Sequence, residues 1–74
     1  LKVHSTMSGS VWRIEKRKSH SVRVGENLVI LESMKMEIPI EAPVNGMVTD
    51  VSVSEGDFIQ EGDLIMTVEE EDNE

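Results

Sequence analysis

Three features of the sequence predict an all-β fold, a flattened barrel or sandwich made of two similar halves. The first is an internal repeat: the chain matches itself without gaps at a constant offset of 37 residues. Gly9 falls on Gly46, Val11 on Val48, Ile14 on Val51 and Val22 on Ile59; Gly25-Glu26 falls on Gly62-Asp63, Leu28 on Ile65, and Leu31-Glu32 on Val68-Glu69. The second is β-branched enrichment in Met47–Val53 and Leu64–Val68. The third is the turn chemistry bounding those runs, Glu55-Gly56-Asp57 and Glu61-Gly62-Asp63, where glycine supplies positive φ and aspartate a local acceptor. Two copies of a unit this long exclude heptads and solenoids. They imply a pseudo-twofold domain whose halves bury each other's apolar faces.

In chain order, Lys2-Val3-His4-Ser5 reads as a first strand, with His4 at a strand position rather than a catalytic one. The loop Lys16–Ser21 has Ser19 and His20 where its twin has Gly56 and Asp57, so it is expected to be wider or more mobile. His20 there reads as a turn substitute rather than a general base. Ala42-Pro43-Val44 opens the second half. The closing Glu69-Glu70-Glu71-Asp72-Asn73-Glu74 reads as a solvated, disordered tail on a single domain spanning residues 1–74.

Between these lies Leu28–Ile40. Propensity makes Leu28–Met36 helical, since Leu, Glu, Met and Lys are good helix formers. The repeat equates Leu28–Glu32 with the strand-like Ile65–Glu69, Pro39 would stop a helix after barely two turns, and Ile38 and Ile40 alternate with Pro39 and Glu41. A hairpin with its tip at Met34-Lys35 satisfies all three. That tip breaks a local rule, because tight two-residue turns favour Asn-Gly or Asp-Gly. From the turn alone two readings stay open: a functional constraint, or a surface lysine beside methionines that fill gaps in the core.

Composition limits the function. The chain has 74 residues, no cysteine and two histidines without ligand spacing, so neither disulfides nor a zinc site are expected to support the core. The net charge is −8, and after Lys35 there are twelve acidic residues and no basic one. That balance opposes nucleic-acid binding; the cluster Arg13, Lys16, Arg17, Lys18 beside Trp12 reads as a solvated loop. No apolar run approaches the roughly 20 residues that span a bilayer, and no nucleophile–base constellation suggests an enzyme.

Glu32-Ser33-Met34-Lys35-Met36 resembles the Glu-(Ala/Ser)-Met-Lys-Met signature of biotinyl domains, the carrier modules of biotin-dependent carboxylases. The similarity extends from about Val3 to Val68 and takes in Ala42-Pro43, Gly46, Glu55-Gly56-Asp57 and Glu61-Gly62-Asp63. It implies two quasi-symmetric four-stranded antiparallel sheets, a barrel-sandwich hybrid, with the target lysine on an exposed hairpin. Lys35 matches the lysine that a biotin protein ligase acylates with biotin from biotinyl-adenylate. Met34 and Met36 match flanking residues read by the ligase or the carboxylase, and Glu32, Ser33 and Glu37 complete the expected recognition segment. Part of the role of Glu32 is expected to be structural, since Glu69 occupies the equivalent strand end. The biotin ring would then be carboxylated at a biotin carboxylase site and deliver the carboxyl group at a carboxyltransferase site. A lysine amine, almost wholly protonated at neutral pH, is a poor nucleophile alone, so the chemistry belongs to ligase and cofactor and the domain contributes access.

The gapless repeat predicts no extra thumb over the biotin ring, as in the carrier domains of pyruvate carboxylase or transcarboxylase. The nearest rival is a lipoyl carrier of the same fold, whose hairpins usually read Asp-Lys-Ala; acceptance of both biotin and lipoate is a variant of it. A rival of another class is a non-catalytic interaction module. The isolated domain is expected to be monomeric and cytoplasmic, with a mitochondrial setting open if it is excised from a longer chain. The sequence leaves free-standing protein and excised domain undecided.

Overall fold

Eight strands carry the repeat into space in the computed structural model, which describes residues 1–71. They are β1 (Lys2–His4), β2 (Gly9–Ile14), β3 (Ser21–Val22), β4 (Asn27–Ser33), β5 (Met36–Glu41), β6 (Gly46–Val51), β7 (Phe58–Ile59) and β8 (Leu64–Glu70). The described residues contain no helix. All pairings are antiparallel, in two four-stranded sheets ordered β1-β8-β6-β3 and β5-β4-β2-β7. The repeat maps one order onto the other, strand for strand, as the pseudo-twofold reading requires. Leu28–Met36 is not helical despite its propensity, because the β pairing of both flanks and burial of Leu28, Val29 and Leu31 override it.

The core lies between the sheets and is drawn evenly from both halves. Val11, Val22, Leu28, Leu31 and Val29 are buried, and so are their twins Val48, Ile59, Ile65, Val68 and Met66. Pro39 sits on the edge strand β5, where its missing N–H costs no ladder bond at the solvent side.

The halves also exchange backbone hydrogen bonds. In the first half, Ser19 N donates to Val48 O at 2.8 Å and Val48 N donates to His20 O at 2.9 Å. In the second, Gly56 N donates to Val11 O at 2.8 Å and Val11 N donates to Asp57 O at 2.7 Å. Each half's turn thus completes the other half's central strand.

This geometry corrects the expectation for Lys16–Ser21. The segment is neither longer nor wider than its twin. Ser19 holds φ 76° where Gly56 holds 95°, and His20 Nδ1 accepts the Arg17 amide at 2.9 Å just as Asp57 Oδ2 accepts the Ser54 amide at 2.9 Å. The turn needs an acceptor at that position, and an imidazole nitrogen serves as well as a carboxylate. His20 is therefore the turn substitute that the repeat indicated. A serine in the left-handed region is strained by about 1–2 kcal/mol. Ser19→Gly is expected to raise the unfolding free energy by about 1 kcal/mol, measured by urea denaturation.

The acidic end needs a second correction. Glu69 and Glu70 are the last residues of β8, paired with Met47 and Gly46, and Glu71 N donates to Asn45 O at 2.8 Å. They are ordered because they extend β8 along β6, whose Met47 and Gly46 they pair, and that ladder outweighs the charge. The rest of the predicted tail, residues 72–74, lies outside the described residues.

The molecule is elongated, 42 × 19 × 18 Å. The β4–β5 tip is at one pole together with the starts of β2 and β8 and the turn Gln60–Asp63, which bonds to Ser5. Lys2, Gly46 and Glu70, the other ends of β1, β6 and β8, mark the opposite pole.

Candidate functional site

The hairpin predicted over Leu28–Ile40 forms in the expected register. Leu31 pairs with Ile38, Glu32 with Glu37 and Ser33 with Met36, leaving Met34 and Lys35 as a two-residue turn. Both turn residues are left-handed, Met34 at φ 52° and Lys35 at φ 65°. Two consecutive residues of this kind form a type I′ turn, whose twist matches that of the strands. The connection is therefore as short as a hairpin allows. The Lys35 Cα is fixed by the ladder beneath it, and the amine's freedom is that of its own four-carbon stem.

That geometry carries a local cost of about 1–2 kcal/mol for each non-glycine residue. The anchoring lies lower down, where Leu31 is fully buried and Ile38 packs against the core. Met34→Asn, which suits the left-handed region better, is expected to stabilise the domain by about 1 kcal/mol in urea unfolding.

Burial removes one reading that the turn had left open. Met34 is 92% exposed and Met36 is 65% exposed, so neither fills a gap in the core. Two flexible, polarisable side chains held in water beside one lysine form a contact surface. Lys35 is also exposed, and no ion pair among the described residues involves it. Its Nζ is open to an acyl donor, which fits covalent attachment of a carboxylate-bearing cofactor through an amide.

Glu32 and Glu37 are both exposed and directly opposite each other. Like charges in that arrangement destabilise a sheet, so stability does not account for this pair. Ser33, half-buried opposite Met36, completes the segment. The structure thus brings Glu32, Ser33, Met34, Lys35, Met36 and Glu37 together at one pole.

A contact that the sequence signature does not contain supports the base of the hairpin. A Cβ on Gly9 would stand 2.8 Å from Glu32 O, so the end of β4 approaches β2 at a point open only to glycine. Gly46 and Glu69 repeat the contact in the other half. A glycine inside each strand pattern was its visible signal. The backbone of Glu32 is consequently structural even though its carboxylate faces water. No group of His, Asp and Glu suited to a metal ion occurs among the described residues.

Known proteins share both the sequence and the geometry. A family model described as "Biotin-requiring enzyme" matches residues 2–68. A biotin/lipoyl attachment protein of Bacillus subtilis is 41% identical over 66 residues, 89% of this chain and 90% of that protein. A protein of Mycobacterium leprae named as a homologue of biotinylated protein TB7.3 is 47% identical over 66 residues, 89% of this chain and 93% of that one. Among solved structures, the urea carboxylase of Kluyveromyces lactis superposes with a TM-score of 0.86 at 26% identity, over 92% of this chain and 6% of that one. With the family model spanning nearly all of the two sheets and the hairpin, the chain belongs to the biotin/lipoyl attachment domain family.

Proposed function

We propose that this chain is a biotin carboxyl carrier, acylated by biotin on Lys35 Nζ and not catalytic by itself. The observation that carries the reading is the Met34-Lys35 turn: a costly conformation that holds one free amine at the pole, framed by exposed methionines. The similarity to biotin attachment proteins and to a carboxylase supports it.

In the attachment step the Lys35 amine attacks the carbonyl carbon of biotinyl-adenylate. An amide bond forms, the acyl–phosphate bond breaks, AMP leaves, and the amine's proton passes to a base on the ligase. The base is assigned to the ligase, because Lys35 forms no ion pair among the described residues. Met34, Met36, Glu32, Ser33 and Glu37 are the residues a ligase would read around the amine. Biotin held there supplies a ureido nitrogen that accepts a carboxyl group at one active site and releases it at another. The domain's part is to hold the attachment point on a rigid tip, so that the tethered arm meets both sites at high effective concentration.

The test is intact-mass analysis after incubation with ATP, magnesium and either biotin plus biotin protein ligase or lipoate plus lipoate ligase. A single biotin adduct mapped to Lys35 is expected. An unmodified chain with the biotin enzyme, whatever the lipoate result, would overturn the reading.

A further inference from the structure

The two aromatic residues of the chain, Trp12 and Phe58, are both exposed, at 42% and 68%. Both lie on the outer face of the sheet that bears the hairpin. Phe58 pairs with Ser10, Ser10 with Glu32, and Glu32 with Glu37, all exposed, and directly paired residues point to the same side. The next row carries Arg13, Ile30 and Pro39. A bulge between Val11 and Arg13 turns Trp12 outward as well, and the Arg13 guanidinium stands 4.8 Å over its ring.

The pseudo-twofold supplies an internal control. The other sheet has the same bulge, between Val48 and Asp50, and the same outward rows. There Thr49 replaces Trp12, Ser21 replaces Phe58, Thr67 replaces Ile30 and Asp50 replaces Arg13. Met47 opposite Ser10 is the one exchange in the reverse direction. The fold is satisfied by polar residues at these positions, so it does not require the aromatics. Exposed Trp and Phe clustered on one face are the composition of an interface core.

We infer that this face is the docking surface for the ligase that modifies Lys35, received by an apolar pocket with a basic rim; the inference rests on the carrier reading above. Charge selects that occupant. Glu32 and Glu37 border the patch toward the tip and Asp57 precedes Phe58, while Arg13 stands over Trp12 on the side away from the tip. Two copies of a chain of net charge −8 repel each other overall, whereas a cationic partner is attracted to the tip side of the patch. Position selects it too. The Glu32–Glu37 end of the row lies about 7 Å, two strand residues, from the turn, and Phe58 lies two strands, about 10 Å, to the side of Glu32. An enzyme that takes the bare lysine into its active site has no added arm to bridge a gap, so it covers the Glu32–Glu37 end of the row and reaches the aromatics beside it.

The test gives each aromatic the residue of its twin, Trp12→Thr and Phe58→Ser, singly and together. Steady-state biotinylation by biotin protein ligase is measured with this chain as the varied substrate. The double variant is expected to raise KM at least tenfold with kcat retained and an unchanged melting temperature, and the wild-type KM is expected to rise with salt. A KM within twofold of wild type would overturn the inference while leaving the carrier reading intact. Wild-type dimerisation in sedimentation that the double variant abolishes would also overturn it, by assigning the face to a second copy. A wild-type chain that accepts no biotin would sink the carrier reading, and this inference with it. Trp12 is the sole tryptophan, which permits a check free of folding effects. Its fluorine-labelled resonance is expected to shift or broaden on adding unlabelled ligase, and an unperturbed resonance counts against the inference.

Discussion

Lys35→Arg is expected to abolish biotinylation, with no adduct in the intact mass and no streptavidin shift. In a reconstituted carboxylase it should reduce carboxyl transfer to background. The substitution keeps the charge and the stem but replaces a primary amine by a guanidinium, which does not deprotonate in proteins and cannot be acylated by the same route. Position 35 lies at an exposed turn and forms no ion pair among the described residues, so stability should change by less than about 0.5 kcal/mol. The loss will therefore report the attachment atom and not unfolding. Lys2, Lys16 and Lys18 remain in the variant. Biotin appearing on one of them, or activity surviving, would refute the assignment to Lys35.

The largest structural effect is expected at Gly46. A Cβ there would run into the Glu69 carbonyl oxygen, and both groups belong to backbone of the paired strands β6 and β8. Neither strand can yield without breaking the ladder, so Gly46→Ala is expected to cost about 3 kcal/mol or more. A domain of this size has only about 4–11 kcal/mol in total, so the variant should be substantially unfolded on moderate heating. Gly9→Ala is the milder test of the same contact, since the clash with Glu32 O is at 2.8 Å. It should cost about 1–2 kcal/mol and speed amide exchange at the hairpin base before the rest of the sheet. Urea unfolding of both variants checks the order; a Gly46→Ala protein as stable as wild type would contradict the close approach of the two backbones.

Much of this architecture was legible in the residues. The self-match placed Leu28–Glu32 on a strand against its own helical propensity, and two facing sheets follow from it. Once the tip is set at Met34-Lys35, the pairing of Glu32 with Glu37 follows from counting back along two strands. The family signature pointed to Lys35, and the structure places it with Met34 in a left-handed two-residue turn.

What escaped the sequence has physical causes. The loop at His20 was misjudged because a turn signature is a list of residue types, whereas the turn itself needs an acceptor atom in one place, which His20 Nδ1 provides. Glu69 and Glu70 were assigned to a solvated tail because composition cannot show a strand's neighbours. The order of those residues comes from pairing with β6, a strand distant in the chain. Trp12 and Arg13 are exposed in succession because of a bulge, and a bulge interrupts the alternation by which faces are assigned.

The polar layout of the molecule has a mechanical consequence. Lys35 is at one end of a body 42 Å long, and Lys2 and Glu70 are at the other. On the carrier reading proposed above, an active site that clamps an arm attached at Lys35 grips the domain at the end away from its N- and C-terminal strand ends. A tag or neighbouring chain joined there trails behind, out of the clamp, and the domain acts as a handle whose own length adds to the arm's reach. Immobilised through Lys35, it would present both strand ends to solution.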